Sequence, residues 1–225
     1  MGEIMKNIKI IDKIDISING LVSTCKRWKK ENVFLRQGDA DGACGLYCTF
    51  MALIMCGIVK RNEIIGIKSG NDDRFREFLS AFDNFSPLIK ECTTARQLSS
   101  SVKNNFGEDI TFRTTQTVGI ELLEKLKKEL LNDNPMIIGV NWPKGGGHWV
   151  LAVGIEYRIL KNNEIAVDKI FLLDSLDEEP ISSYWNKVIL VDKNQEKYRW
   201  LSRENNENGF IDIELDYGII IRKKD

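Results

Sequence analysis

The apolar segment from residue 43 to residue 59, ACGLYCTFMALIMCGIV, constrains the fold more than any other part of the chain. It contains no charged residue, and a helix over residues 43–58 has apolar side chains on nearly every side. Such a helix is stable only when it is buried. Because the segment is shorter than the roughly 20 apolar residues of a typical bilayer span and includes small and polar residues, we predict a core helix.

Strand patterns dominate the second half of the chain, whereas the first half is mainly helical in pattern. Residues 118–131, VGIELLEKLKKELL, place leucines on one stripe beside Glu–Lys pairs, which is typical of a surface helix. Short strands are predicted at residues 8–11 and 14–18, and short helices and loops over residues 59–116. From residue 135 onward, apolar runs between turn-forming stretches predict strands at residues 136–140, 148–157, 169–175, 187–192, 210–215 and 217–223. This order predicts an α+β fold.

Composition narrows the class of protein. The chain has 225 residues, 43% of them hydrophobic and 29% charged, which is typical of a globular protein, and we expect a single domain over residues 1–225. The net charge of −1 gives no field that favours nucleic acid or a membrane as a partner. Five cysteines, an odd number, and the lack of a signal-like N-terminus predict a reducing, cytoplasmic location, with signal-independent export left open.

Residues 36–48, RQGDADGACGLYC, lead directly into the apolar helix. A cysteine attacks carbonyl groups as the thiolate, and the first turn of a helix favours negative charge. Cys44 occupies that turn, Gly42 permits a tight approach, and Asp39 or Asp41 is a candidate N-cap. Cys44 is therefore a candidate nucleophile, although a cysteine in this position is also a common buried apolar residue.

The chain has one histidine, His148, which follows a run of three glycines and opens a predicted strand. A nucleophilic thiol requires a base such as imidazole. Asp174 ends the next predicted strand, where it can orient the imidazole if the two strands pair. It can instead cap a turn with Ser175. The backbone N–H of Cys44 and the side-chain amide of Gln37 are candidate donors to an oxyanion.

These motifs, Q…DGACGLYC, GGGHWVLAVG and LLDS, resemble those of the papain-like cysteine peptidase superfamily. Within that superfamily, the motifs are most similar to those of bacterial peptidases that process bacteriocin leader peptides. The resemblance implies a two-lobe fold, with a helical lobe over residues 37–131 packed on an antiparallel sheet lobe over residues 135–225. It also implies a thiol protease with Cys44 as nucleophile, His148 as acid and base, Asp174 as orienting residue and Gln37 as oxyanion donor.

Two positions depart from that family's pattern. Gln37 stands one residue farther from Cys44 than is usual, and Ala43 occupies the position where leader-processing enzymes commonly have Asp. The expected function is hydrolysis of a peptide or amide bond in a protein or peptide substrate. The alternatives are an acyl or amide transferase or effector toxin with the same chemistry, and a non-catalytic binding protein.

No metal or cofactor is expected. Cys44, Cys48 and His148 are three potential zinc ligands, but zinc normally takes four, and paired thiols more often have the Cys-x-x-Cys spacing. The stretch DADG at residues 39–42 is similar to part of a calcium loop, but no acidic residue stands where the loop must close. Cys48 is instead expected to pack in the core one turn behind Cys44.

Overall fold

Strands account for most of the regular structure in the computed structural model, which describes residues 5–26, 30–38, 42–65, 94–201 and 209–224. Within these ranges the helices are α1 (Cys44–Met55), α2 (Arg61–Ile65), α3 (Ala95–Phe106) and α4 (Gly119–Leu131). The strands there are β1 (Lys6–Ile10), β2 (Ile14–Ser17), β3 (Gly20–Ser23), β4 (Ile110–Thr115), β5 (Met136–Asn141), β6 (Gly147–Ile159), β7 (Ile165–Leu173), β8 (Lys187–Val191), β9 (Tyr198–Leu201) and β10 (Phe210–Lys223).

Six antiparallel strands close into a barrel in the order β6–β5–β10–β9–β8–β7, with β7 pairing back to β6. Two further strands extend the same sheet, β1 along β6 and β4 along β10. Strands β2 and β3 form a separate hairpin. Closure leaves the six barrel strands without a free edge along their paired lengths.

The two longest strands hold the barrel together. β6 has 13 residues and is almost entirely buried over its first ten, because its sequence is apolar from Trp149 to Ile155. β10 has 14 residues and pairs with β9, β5 and β4 in turn. A bulge lies between Asp216 and Gly218 of β10, where Tyr217 has a φ of 40°.

The helices lie against the strands. α1 packs on β6 and β5, and all of its residues except Tyr47 are buried, which confirms the prediction of a core helix. α4 packs on β10 and buries Leu122, Leu123, Leu126 and Leu130, while its Glu129 binds Arg222 of β10 with an Nε–Oε2 distance of 2.9 Å. None of the helices in the described ranges is both long and apolar enough to cross a membrane.

The predicted papain-like fold, with a helical lobe on a sheet lobe, is wrong. The structure is mostly β and is built around the closed six-stranded barrel. β4 falls within residues 37–131, the stretch expected to form the helical lobe, yet it pairs with β10. The helices α1, α3 and α4 pack on strands rather than forming a lobe of their own. An all-apolar helix must be buried, but its sequence does not specify whether helices or strands cover it.

Most individual elements were predicted correctly. The strands expected at 136–140, 148–157, 169–175 and 187–192 are present as β5 to β8, and the two expected at 210–215 and 217–223 are joined across the bulge as β10. The helix expected at 118–131 is α4. The candidate N-caps Asp39 and Asp41 lie outside the described residues, as do residues 66–93 of the segment predicted to form short helices and loops.

Candidate active site

Cys44 is the first residue of α1. The helix has Ala43 as its N-cap, without a capping side chain, and the Ala43 carbonyl accepts from the N–H groups of Leu46 and Tyr47 at 2.8 and 3.2 Å. The first-turn N–H groups and the helix dipole favour negative charge at this point. Cys44 is buried, with 2% of its surface exposed. Its thiol is therefore held in a fixed position at the positive end of a core helix.

A glycine turn places His148 at the start of β6. Gly145 and Gly146 have φ values of 91° and 88°, which glycine adopts readily and other residues rarely. The turn closes through a bond from the Trp142 N–H to the Gly146 carbonyl at 3.1 Å, and Val140 of β5 then pairs with His148. The three glycines thus have a structural role, which is to turn the chain tightly into the strand that carries the imidazole.

His148 and Asp174 form a buried pair. The distance from His148 Nε2 to Asp174 Oδ1 is 2.7 Å, and their side chains are 8% and 4% exposed. β6 and β7 are paired through Leu151 and Leu173, so the residue that follows β7 comes to the end of β6 where His148 lies. The proximity expected from strand pairing is present in the structure.

Cys44 lies against the same end of β6. The N–H of Trp149 donates to Cys44 Sγ at 3.5 Å, and Cys44 is close enough to His148 to raise the pKa of its imidazole. Because Nε2 of His148 is engaged by Asp174, Nδ1 is the ring nitrogen that remains for the thiol. The structure thus brings Cys44, His148 and Asp174 together from three separate elements.

Gly45 makes this approach of α1 to β6 possible. A Cβ atom on Gly45 would lie 2.8 Å from Leu98 Cδ1 and 3.1 Å from Trp149 Cδ1, too close for a side chain without displacement. The indole of Trp149 also faces Gly139 of β5, where a Cβ would lie 3.5 Å from Cζ3. The indole of Trp149 is therefore packed between α1 and the sheet.

The surroundings of His148 favour the imidazolium. Burial lowers the pKa of His148, but the hydrogen bond to Asp174 and the contact with Cys44 outweigh it and raise that pKa from 6.5 to about 9. At neutral pH the imidazole is therefore protonated. A protonated imidazole beside a thiol favours the thiolate, which is the nucleophilic form.

Asn186 fixes Asp174, and sequence reasoning missed it. Its Oδ1 accepts from the Asp174 N–H at 2.8 Å, and its Nδ2 donates to the Asp174 carbonyl at 2.8 Å. Asp174 Oδ1 also accepts from the Leu176 N–H at 3.0 Å, so the carboxylate caps a turn as well as binding the imidazole. No motif in the sequence marks Asn186, which lies in an irregular loop between β7 and β8.

Gln37 lies beside the turn that follows Asp174. Its backbone N–H donates to the Ser175 carbonyl at 2.8 Å, and its Oε1 accepts from the Ser175 hydroxyl at 3.1 Å. The side-chain NH₂ is the donor end of this amide, and an oxyanion requires a donor. The structure therefore gives Gln37 a fixed, buried position at the same end of the barrel as the His148–Asp174 pair.

Trp200 of β9 covers the imidazole from another side. Its ring centroid lies 6.4 Å from that of His148 in an edge-to-face arrangement, and Trp142 contacts Trp200 in the same way at 5.4 Å. Lys187 lies over Trp200, 5.2 Å from the ring centroid, and pairs with Asp177 at 2.7 Å. These apolar surfaces limit the access of water to the imidazole.

A cleft of about 500 Å³ opens beside His148. Its walls are the start of α3, the end of β4, the end of β5, the start of β6 and the bulge of β10, and they include Asn141, Gly147, His148, Trp149, Asp216 and Tyr217. Asn141 is among the residues that line it, and Cys44 is not.

Cys48 packs in the core, as expected. It has no exposed surface, and its Sγ donates to the Trp149 carbonyl at 3.3 Å. Burial, together with the nearby Cys44 and Asp174, raises the pKa of the Cys48 thiol well above its ordinary value. The residues that the structure describes include no group of three His, Cys, Asp or Glu side chains placed to hold a metal ion.

No protein-family model matches the chain, and no curated protein matches its sequence. The relation to papain-like peptidases therefore stays a prediction from three short motifs. Any statement about function has to be argued from the geometry of the site.

Proposed function

We propose that the protein is a cysteine hydrolase that cleaves a peptide or amide bond. The observation that carries this proposal is the convergence of Cys44, His148 and Asp174, with a 2.7 Å bond from imidazole to carboxylate and the Cys44 thiol bound by the N–H of Trp149, the residue next to His148. A base between a nucleophile and an orienting acid is the arrangement that activates a thiol.

In the proposed mechanism, the Cys44 thiolate adds to the substrate carbonyl carbon, and the π electrons move onto the oxygen. The Cys44 N–H and the Gln37 amide donate to that oxyanion. The tetrahedral intermediate collapses with cleavage of the C–N bond, and His148 gives its proton to the leaving nitrogen. A thioester on Cys44 and a free amine result.

Deacylation uses the same imidazole as a base. His148, now neutral, removes a proton from a water molecule that adds to the thioester carbonyl. Collapse of the second intermediate releases the carboxylic acid and returns the thiolate beside the imidazolium. Asp174 retains its bond to Nε2 throughout, so Nδ1 is the nitrogen that exchanges protons and the ring does not rotate away.

The test is to incubate the protein with a complex mixture of peptides and to identify new termini by mass spectrometry. We expect cleavage that is lost in His148→Ala, together with an acyl adduct on Cys44 when the reaction is stopped in acid. Added amines separate hydrolysis from transfer, because a transferase yields products whose mass includes the amine. If no peptide is cleaved and no adduct forms on Cys44, the proposal is wrong.

A further inference from the structure

The cleft beside His148 contains a carboxylate that the proposed mechanism does not use. Asp216 lies at the bulge of β10, and two neutral donors orient its carboxylate. The side-chain Nδ2 of Asn141 donates to Oδ2 at 3.1 Å, and the N–H of Tyr217 donates to Oδ1 at 2.9 Å. The group is therefore held in place without being neutralised.

The local backbone supports this orientation. Tyr217 has a φ of 40°, a conformation that is unfavourable for a residue other than glycine and that persists only where the surroundings impose it. Asn141 pairs with Gly147, and a Cβ atom at Gly147 would lie 2.7 Å from Asn141 Oδ1. A glycine at this position leaves room for the Asn141 side chain that binds Asp216.

The charge of Asp216 has no partner in the described part of the chain, since no ion pair there involves it. The other charged groups in the lining are Arg96, which is exposed in the first turn of α3, and the imidazolium of His148, whose charge is paired with Asp174. The remaining polar side chains of the lining are neutral, among them Thr94, Ser99, Ser100, Thr114 and Gln116. A fixed carboxylate in a partly enclosed cleft attracts a cation more strongly than one on an open surface.

We propose that this cleft is a substrate subsite that selects a lysine or arginine side chain, and that Asp216 determines this specificity. The inference rests on the proposed hydrolase function, because the cleft is lined by His148, the proposed acid and base, and by Trp149, whose N–H donates to Cys44 Sγ. The side-chain amide oxygens of Asn141 and Gln116, which also line the cleft, are further acceptors for the charged head of the lysine or arginine.

The test uses dipeptidyl acyloxymethyl ketones, which alkylate a reactive thiol at a rate that reflects how well the peptide part is bound. Two series carry arginine at the first or second residue before the ketone, and matched probes carry citrulline, which has nearly the same shape and no charge. We expect one arginine probe to label Cys44 about 10- to 100-fold faster than its citrulline counterpart. This ratio corresponds to the free energy of one charge-assisted hydrogen bond, here between the guanidinium and Asp216.

Variants assign the preference to Asp216. In Asp216→Asn the ratio of arginine to citrulline rates should fall to near one. Glu214→Gln removes the same charge two residues earlier on β10, at an exposed position outside the cleft lining, and should retain the ratio of the wild type. Arg96→Gln should raise the rate of the arginine probe about two- to threefold, because it removes a repulsive charge from an exposed position.

The outcomes separate the two proposals. Labelling of Cys44 at equal rates by arginine and citrulline probes overturns the subsite and leaves the hydrolase proposal intact. If no probe labels Cys44, the hydrolase proposal fails, and the subsite is then tested by equilibrium binding. The arginine and citrulline dipeptides, as amides, are bound to Cys44→Ala and to the double variant that also carries Asp216→Asn. Tighter binding of the arginine dipeptide to Cys44→Ala, lost in the double variant, supports the subsite, and equal binding of the two dipeptides to Cys44→Ala overturns it.

Discussion

Cys44 and Cys48 lie one turn apart on α1, and both are buried. Both sulfurs contact the backbone of the same residue of β6, but one contacts its N–H and the other its carbonyl. The N–H of Trp149 donates to Cys44 Sγ, whereas the carbonyl of Trp149 accepts from Cys48 Sγ. A donor stabilises a thiolate and an acceptor stabilises a thiol. His148 adds its positive charge on the side of Cys44, while burial raises the pKa of Cys48.

The comparison shows that burial alone does not decide which thiol is reactive. Both sulfurs belong to the same apolar helix and have almost no exposed surface. What differs is the polarity of the backbone group that faces each sulfur, the position in the helix dipole and the presence of an imidazolium. Each of these differences can be removed separately by substitution.

The largest effect is expected from exchanging the two thiols for alanine one at a time. Cys44→Ala should lower kcat/KM by at least about 10⁴-fold, because the nucleophile is lost. Cys48→Ala should change it less than about fivefold, since the chemistry does not use that sulfur. Both are measured on a peptide substrate identified by mass spectrometry. Equal losses in the two variants would remove the distinction between the thiols.

A smaller effect, of about 10³-fold in kcat, is expected for Asp174→Asn, because the imidazolium loses the acid that stabilises and orients it. The pH dependence of kcat/KM tests whether the loss acts through His148. In the wild type kcat/KM should fall as the pH rises through about 9, where His148 loses its proton. In the variant only burial and the contact with Cys44 remain, so this alkaline limb should move down towards 6.5 or below it. A limb that stays near 9 would show that another group titrates there.

Alkylation compares the two thiols directly. With iodoacetamide at pH 7, we expect Cys44 to react at least about 100-fold faster than Cys48, because the thiolate is the species that reacts. Peptide mapping after short exposures measures both sites in one sample. His148→Ala should reduce this ratio by about tenfold or more. If Cys48 reacts as fast as Cys44, the opposite roles assigned to the Trp149 backbone are incorrect.

Sequence reasoning located the residues that meet but not the fold that brings them together. The cysteine at a helix start, the single histidine after the glycines and the acid at a strand end each have a local signature. Whether α1 packs on a barrel or within a helical lobe depends on distant pairings such as β4 with β10. β4 was missed because ITFRTT is short, contains an arginine and three threonines and follows two charged residues, so its alternation is weak.

The supporting residues were missed for a different reason. Asn186 and Trp200 act through contacts with Asp174 and His148 that exist only after the strands have paired. An asparagine in a loop and a tryptophan on a short strand are common and carry no sequence signal. Asp216 had no signal for the same reason, because its cleft is formed by five separate elements.

The smallest effect is expected for Asn186, a residue that positions Asp174. Asp174 in turn stabilises the imidazolium of His148 beside Cys44. Asn186→Ala removes three hydrogen bonds, one from the Asp174 N–H and two to the carbonyls of Asp174 and Glu178. The Asp174 carboxylate then holds the imidazole less firmly. We expect kcat to fall about tenfold and the alkaline limb to move down by about half a pH unit to one unit.

Asn105→Ala is the matched control for this variant, because its side chain bonds only within α3, to the Ser101 carbonyl. It should leave the pH profile unchanged even if it lowers the Tm. A merely structural role for Asn186 would lower the Tm and the amount of active protein but not move the alkaline limb. The pH profile therefore decides whether Asn186 acts through the Asp174–His148 pair or only through the stability of the loop.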